Sequence, residues 1–192
     1  MARLPLEGIR VTDFSWIING PQIGLWLAAM GAEVIKIESQ VYLDFSRLNP
    51  SLMAAGLAGV NNNGCYHTLN YGKKSINLNI KTARGKELAY ELIKRSDFVL
   101  ECYPAPLSHR LGLSYEELRA VKRDIIVISV SLLGKTGTEP APARHTACAK
   151  SSEIGFFPAV SCGSLLICKR RVVWVGTSHI VPNNFGHGHF SD

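Results

Sequence analysis

Five side chains in the first 102 residues of the sequence are of types that could do chemistry: Asp13, Lys73, Lys74, Glu101 and Cys102. Asp13 and Glu101 end predicted strands, where a parallel sheet faces its ligand, and Glu101 could act there as a general base. Cys102 could be a nucleophile, and the two lysines could clamp a phosphate. Each has a more common structural role, namely turn capping for Asp13, pairing for Glu101, a buried thiol for Cys102 and a solvated start of a strand for the lysines. We favour these structural roles.

Two further patterns in the second half are weaker. Gly134-Lys135-Thr136 is similar to the end of a phosphate-binding loop, but that motif needs a glycine where Ser129 stands. Cysteines and histidines of the tail could bind zinc, although their spacing matches no ligand template and a chance cluster is the favoured alternative. These residues are Cys162, Cys168, His179, His187 and His189.

Composition excludes several classes of protein. A chain of 192 residues with 46% hydrophobic and 19% charged residues is typical of a globular protein. The net charge of +6 favours anionic ligands, but no nucleic-acid motif and no membrane-length apolar run occurs. The five cysteines form no CxxC pair, which indicates a reducing compartment. We therefore expect a cytoplasmic protein, or one of an organelle matrix, without a metal, nucleic-acid or membrane partner.

Hydrophobic periodicity predicts alternating strands and helices over the first 138 residues. Thr82 and Ser114 are candidate helix N-caps, the second in a capping box with Glu117. The segment from Ser39 to Leu69 is predicted to be irregular. This order predicts an α/β fold with a doubly wound, Rossmann-like parallel sheet. The predicted strands are 9–14, 33–38, 75–80, 97–101 and 125–130, and the predicted helices are 22–30, 82–95 and 114–122. The first helix has a predicted apolar stripe of Ile23, Trp26, Leu27 and Met30, and the second a buried stripe of Leu88, Ala89, Leu92 and Ile93. The second helix also has a predicted ion pair between Glu91 and Arg95.

Residues 139–192 follow a different pattern. A linker-like stretch at 139–143 precedes a segment without periodicity, in which Val172 to Val175 is the one candidate strand. We therefore expect one α/β domain over 1–138 and a divergent tail over 139–192, which is frameshifted or disordered.

Five short motifs occur in an order that has a known parallel. Residues 6–14 read L-E-G-I-R-V-T-D-F, 20–21 read G-P, 31–38 read G-A-E-V-I-K-I-E, 70–81 read N-Y-G-K-K-S-I-N-L-N-I-K, and 110–118 read R-L-G-L-S-Y-E-E-L. In this order and spacing the front part resembles the family III CoA-transferases, which include formyl-CoA and carnitine CoA-transferases and α-methylacyl-CoA racemase. The resemblance covers only the N-terminal part of such proteins.

The resemblance implies a CoA thioester as substrate, with coenzyme A bound at the front of the domain. Phosphates are bound by basic side chains or by amides at helix starts, so Lys36, Lys73, Lys74, Lys81 and Arg110 are candidate cations, with the helix start near Pro21. Asp44 and Arg47 match a family D-x-x-R pair. The family's E-N-F reads Glu101-Cys102-Tyr103, and Ser39 replaces a frequent basic residue. The implied CoA contacts are Ile18, Asn19, Leu78, Asn79, Ile80, Lys81, Cys102, Tyr103, Pro104 and Arg110.

The catalytic aspartate of the family has no counterpart here. Family transferases use an aspartate in a G-Y-D segment as nucleophile, and the racemases use a His-Asp pair in the same region. Residues 139–145 read E-P-A-P-A-R-H instead, and no aspartate occurs between Asp124 and Asp192. We therefore assign no catalytic residue and expect a chain truncated before that aspartate.

The sequence is compatible with three functions. The first is a CoA-transferase acting on an acyl-CoA and a small carboxylic acid, and an α-methylacyl-CoA racemase-like enzyme is a variant of it. The second is a non-catalytic CoA-binding remnant. The third is a metal-dependent or nucleic-acid-binding module built on the tail. Family members form interlocked homodimers, which we do not expect of a chain of this length.

Overall fold

The computed structural model describes residues 3–48, 59–130 and 173–175. The described strands are β1 (Arg10–Asp13), β2 (Glu33–Glu38), β3 (Lys74–Asn77), β4 (Phe98–Glu101), β5 (Ile126–Val130) and β6 (Val173–Val175). The described helices are α1 (Asn19–Ala29), α2 (Phe45–Leu48), α3 (Gly64–Leu69), α4 (Ala83–Lys94), α5 (Ala105–Leu111) and α6 (Tyr115–Val121).

The six strands form one parallel sheet in the order β3-β2-β1-β4-β5-β6. This is the order of a Rossmann-like fold, and the predicted α/β class is confirmed. Successive side chains of a strand point to opposite faces, and both faces of the central strands are covered. In β4, Phe98 and Leu100 pack into one core cluster and Val99 into the other.

Both predicted helix caps are present. The Thr82 side chain accepts a hydrogen bond from the Gly85 amide, and Ser114 and Glu117 form a complete capping box. Within α4, Ala89 and Ile93 are buried as expected, but Leu88 is 41% exposed. Helix α4 therefore presents a narrower apolar face to the sheet than the periodicity indicated.

Helix α1 begins at Asn19, two residues before Pro21, near which its start was predicted. Its buried face includes Gly20, Pro21 and Gly24, whereas the large side chain of Trp26 is 61% exposed. A Cβ atom on Gly24 would lie 2.8 Å from an Asp13 carboxylate oxygen, so this helix packs close to the sheet through small residues. The predicted apolar stripe is correct at Leu27 and wrong at Trp26.

Three further differences concern the segment between β2 and β3, the end of β3, and one ion pair of α4. The region predicted to be irregular contains α2 and α3. Strand β3 is an exposed edge strand that ends at Asn77, so Leu78 and Ile80 follow it rather than belong to it. Within α4, Glu91 pairs with Lys94 rather than with Arg95.

Strand β6 lies within the segment predicted to be a tail, and it pairs with β5. The rest of residues 131–192 lies outside the described residues, so the domain boundary at 138 stays a prediction. Among the residues that the structure describes, no helix combines the length and apolar character that a membrane crossing needs.

Candidate functional site

Two buried ion pairs lie at the carboxyl ends of β1 and β2. The first joins Lys73 Nζ to Asp13 Oδ2 at 2.9 Å, with side chains that are 1% and 0% exposed. The other Asp13 oxygen accepts hydrogen bonds from the backbone amide and hydroxyl of Ser15, which confirms turn capping by Asp13. Lys73 is therefore neither a solvated residue nor a phosphate clamp, and both ideas about it are wrong.

The second pair joins Lys36 to Asp44 at 3.2 Å, and both side chains are 1% exposed. Lys36 also donates a hydrogen bond to the carbonyl oxygen of Ser15. The Asp44 carboxylate accepts hydrogen bonds from the amides of Ile17 and Ser46. Lys36 is thus a structural cation with internal partners, and it is not a candidate for binding a ligand phosphate.

These contacts hold the loop between β1 and α1, residues 14–18, which we call the β1–α1 loop. Ile17 in this loop has a φ of +71°, a left-handed conformation that a β-branched residue rarely adopts. Such a conformation costs about 1–3 kcal/mol and persists only where the surroundings enforce it. The Asp44 carboxylate, bonded to the Ile17 amide, provides that enforcement.

Glu38, at the end of β2, is the centre of a third polar cluster. Its carboxylate accepts hydrogen bonds from the Arg47 guanidinium at 2.8 and 3.1 Å, from the Tyr66 hydroxyl, and from Ser75 at 2.8 Å. The Arg47 guanidinium also stacks on the Tyr66 ring, 3.6 Å from its centroid. Arg47, the second member of the D-x-x-R pair, therefore has internal partners, as Asp44 does.

Glu38 should make stability depend on pH. Burial acts to raise its pKa, but the hydrogen bonds from Arg47, Tyr66 and Ser75 outweigh burial and leave the pKa below 4.5. The unfolded chain then binds more protons than the folded chain as pH falls through 4.5, so the stabilisation is full above that pH and is lost below it. We expect Glu38→Gln to have a lower urea midpoint than the wild type at pH 7. Towards pH 3 the two midpoints should converge, because the wild type loses the stabilisation by the Glu38 carboxylate. Glu91→Gln, which breaks an exposed pair, should change the midpoint less at pH 7. A Glu38→Gln deficit that is the same at both pH values would contradict this.

Glu101 follows the structural role that we favoured, whereas the Cys102 residue is half-buried rather than fully buried. Glu101 is fully buried and accepts a hydrogen bond from the Tyr103 amide, so structural pairing is confirmed. Burial raises the pKa of the Cys102 thiol to about 12, which leaves almost no thiolate at neutral pH. A nucleophilic role for Cys102 is therefore not supported.

A cavity of about 210 Å³ opens beside these strand ends. Most of its wall is apolar or aromatic, and the Lys81 ammonium lies 3.4 Å from the centroid of the Tyr42 ring. Its size suits one ring system or chain segment rather than a whole drug-sized ligand, which needs about 300 Å³ or more. The lining residues are Phe14, Trp16, Ile37, Glu38, Ser39, Tyr42, Leu78, Asn79, Ile80, Lys81, Tyr103, Leu107 and Leu111.

Half of the expected ligand contacts line this cavity. They are Leu78, Asn79, Ile80, Lys81 and Tyr103. The other five lie elsewhere: Ile18 and Asn19 are exposed at the start of α1, Cys102 contacts the Trp16 backbone, Pro104 caps α5, and Arg110 is exposed on α5. The structure therefore brings the segment after β3 together with the segment after β4.

Comparison with known proteins identifies the family of this chain. The sequence model of CoA-transferase family III matches residues 6–157. The chain belongs to CoA-transferase family III. The predicted resemblance is thereby confirmed, and the match includes every described strand except β6.

Individual family III members show how much of such a protein this chain represents. It is 36% identical over 134 residues to a succinate–glutarate CoA-transferase of Agrobacterium fabrum, covering 69% of this chain and 34% of the relative. A succinyl-CoA:glutarate CoA-transferase of Mus musculus is 37% identical, with coverages of 74% and 31%. A crystal structure of a CAIB/BAIF family protein from Brucella suis aligns with a TM-score of 0.62 and 33% identity, covering 71% of this chain and 35% of that one. The chain spans about a third of the length of these family III relatives.

Several residues of the cavity were not predicted from the sequence. Trp16 follows β1, and an aromatic residue just beyond a strand end was a signal that could have identified it. Tyr42 lies in the segment predicted to be irregular, where no periodicity marks it. Within residues 3–48 and 59–130, no cluster of metal-binding side chains occurs, and the five proposed zinc ligands lie outside the described residues.

Proposed function

We propose that this chain binds coenzyme A or its thioester, with the cavity holding one part of that ligand. The observation that carries the proposal is the meeting of residues 78–81 with Tyr103 in one wall, since the family resemblance implies both as CoA contacts. The aromatic and aliphatic wall suits the adenine ring. Lys81, exposed beside it, can reach a phosphate.

One exposed cation in the cavity wall, Lys81, supports an anionic ligand bound at the rim. Of the five candidate cations, Lys36 and Lys73 have buried carboxylate partners, and Lys74 pairs with Glu33 at 2.5 Å. Lys81 contacts an aromatic ring, whose attraction for the ammonium is weaker than that of a phosphate. Lys81 is therefore the first cation to test, and Arg110 is the second.

The reaction that we propose is that of family III: movement of CoA between an acyl-CoA thioester and a carboxylic acid. Relatives named succinate–glutarate CoA-transferase and formyl-CoA:oxalate CoA-transferase support this substrate class. No residue of this chain is assigned as nucleophile, because no aspartate occurs between Asp124 and Asp192. A non-catalytic CoA-binding role is the second candidate, and this same observation favours it. We place either role in the cytoplasm or in an organelle matrix.

Replacing Lys81 tests the binding site. We expect Lys81→Met to weaken CoA binding about 10-fold, since a charge-assisted hydrogen bond to phosphate is lost. Lys74→Met is the matched control, because it removes the same charge from β3 outside the cavity wall. Isothermal titration with CoA at low salt measures both. Ser39→Arg, which adds a cation to the wall, should tighten binding, and high salt should reduce that gain.

Two outcomes would count against the proposal. Equal CoA affinity in wild type and Lys81→Met would show that CoA does not bind at this cavity. No CoA binding by the wild type would remove the function. Turnover measured with succinyl-CoA and glutarate then separates the two candidates, because a transferase forms glutaryl-CoA and a CoA-binding protein does not.

A further inference from the structure

Within the β1–α1 loop, the backbone of residues 15–17 is held by side chains. At Ser15, Asp13 accepts from the amide and Lys36 donates to the carbonyl oxygen. At Ile17, Asp44 accepts from the amide. Between them, the amide of Trp16 donates to Cys102 Sγ at 3.0 Å, and the thiol lies 3.8 Å from the carbonyl oxygen of the same residue. The Cys102 thiol thus contacts both the backbone amide and the carbonyl oxygen of Trp16.

The side chain of that residue forms part of the cavity. Trp16 lines the wall together with Tyr103, and the two rings meet edge to face with centroids 6.0 Å apart. Cys102 precedes Tyr103 directly and does not itself line the cavity. The Cys102 thiol therefore links the end of β4 to the backbone of one wall residue, Trp16. The next residue in the chain, Tyr103, is itself the second wall residue.

We propose that Cys102 is a positioning residue, which fixes the Trp16 backbone so that the indole stays in the cavity wall before the ligand arrives. A thiol is a weak donor and a weak acceptor, but it has both capacities, as Trp16 requires. Pre-formed walls raise affinity because less side-chain and loop freedom is lost on binding. This role rests on the proposed CoA binding, and it differs from direct contact between Cys102 and the ligand.

The role explains why a cysteine can stand where the family usually has an asparagine. An asparagine amide also carries one acceptor and a donor group, so it could serve the same two peptide groups. The loss of that amide in this sequence does not leave Trp16 without partners. The Cys102 thiol makes the two contacts to the Trp16 backbone in place of that amide, although a thiol is a poorer hydrogen-bonding group.

The test compares Cys102→Ala, Cys102→Ser and Cys65→Ala with the wild type. Alanine removes both contacts, serine keeps a donor and an acceptor, and Cys65 is a half-buried thiol outside the cavity wall. Amide hydrogen exchange of Trp16 in the ligand-free protein reports on the loop, and Val11 in β1 reports on the sheet. CoA titration reports on the site, and Trp16 fluorescence, measured with Trp26→Phe and Trp174→Phe present in every variant, follows the indole.

We expect Cys102→Ala to speed exchange of the Trp16 amide and to weaken CoA binding, each about tenfold, with Val11 exchange unchanged. Cys102→Ser should restore most of the slow Trp16 exchange and most of the CoA affinity. Cys65→Ala should match the wild type in both measurements. Unchanged Trp16 exchange in Cys102→Ala would overturn the proposal, as would unchanged CoA affinity despite faster exchange. If serine behaves as alanine does, packing and not hydrogen bonding is the role of Cys102, and the proposal fails. If the wild type binds no CoA, the proposed function fails separately, and Trp16 exchange and fluorescence still decide whether Cys102 holds the loop.

Discussion

Replacement of Asp44 by alanine is expected to lower the free energy of unfolding by about 3–5 kcal/mol, because it leaves the Lys36 ammonium buried without its carboxylate. Both side chains are 1% exposed, so water cannot substitute for the missing partner. The same change removes the acceptor for the Ile17 amide, which holds a left-handed residue in place. Such a loss is a large part of the 5–15 kcal/mol that typically stabilises a domain.

Urea unfolding followed by circular dichroism measures this effect. Glu33→Ala is the control, because it breaks pairs with Arg10 and Lys74 whose side chains are partly or largely exposed, and we expect a change of less than about 1 kcal/mol. The double variant Lys36→Met with Asp44→Ala removes both charges and should be more stable than Asp44→Ala alone. A midpoint for Asp44→Ala close to that of Glu33→Ala would show that the pair contributes little.

Gly85→Ala is expected to be the most damaging small change at the cavity. A Cβ atom on Gly85 would lie 2.0 Å from the Asn79 carbonyl oxygen and 2.7 Å from its carbon, so the backbone of residues 79–82 must move. Overpacking of this kind costs about 1–3 kcal/mol. Because Asn79, Ile80 and Lys81 form part of the cavity wall, we also expect CoA binding to fall below the limit of titration.

Gly64→Ala is the matched control for this prediction. Gly64 also lies in the first turn of a helix, but nothing stands within 4 Å of its added Cβ. It should therefore keep its CoA affinity and gain about 0.4–1 kcal/mol of stability through reduced freedom of the unfolded chain. Equal stability and equal CoA affinity of the two alanine variants would contradict this prediction. Residues 79–82 would then move to accommodate the added Cβ atom without loss of stability or binding.

Local signals predicted the sheet and the capped helices well. Thr82 and Ser114 were recognisable because a cap depends on residues three positions apart. Strand β4 was recognisable because a strand buried on both faces has an apolar centre. Trp26 and Leu88 were misassigned because periodicity shows which residues share a face, whereas the width of the buried face depends on the neighbouring element.

The candidate site was less predictable for the same physical reason. Lys36 and Lys73 were expected to be candidate phosphate ligands, because the sequence does not show that Asp44 and Asp13 lie beside them. Asp13 and Lys73 are 60 residues apart, and only the folded sheet brings them together. Residues 78–81 were identified through the family resemblance, which carries spatial information that composition and spacing lack.

The central position of β1 has a consequence for how the chain folds. One neighbour, β2, follows β1 within the first 38 residues, whereas the other, β4, is complete only at Glu101. At a synthesis rate of about 5–20 residues per second, one edge of β1 stays open for several seconds on the ribosome. Non-local pairing of this kind slows folding. Until β4 is made, the unpaired edge of β1 is therefore open to pairing with another strand.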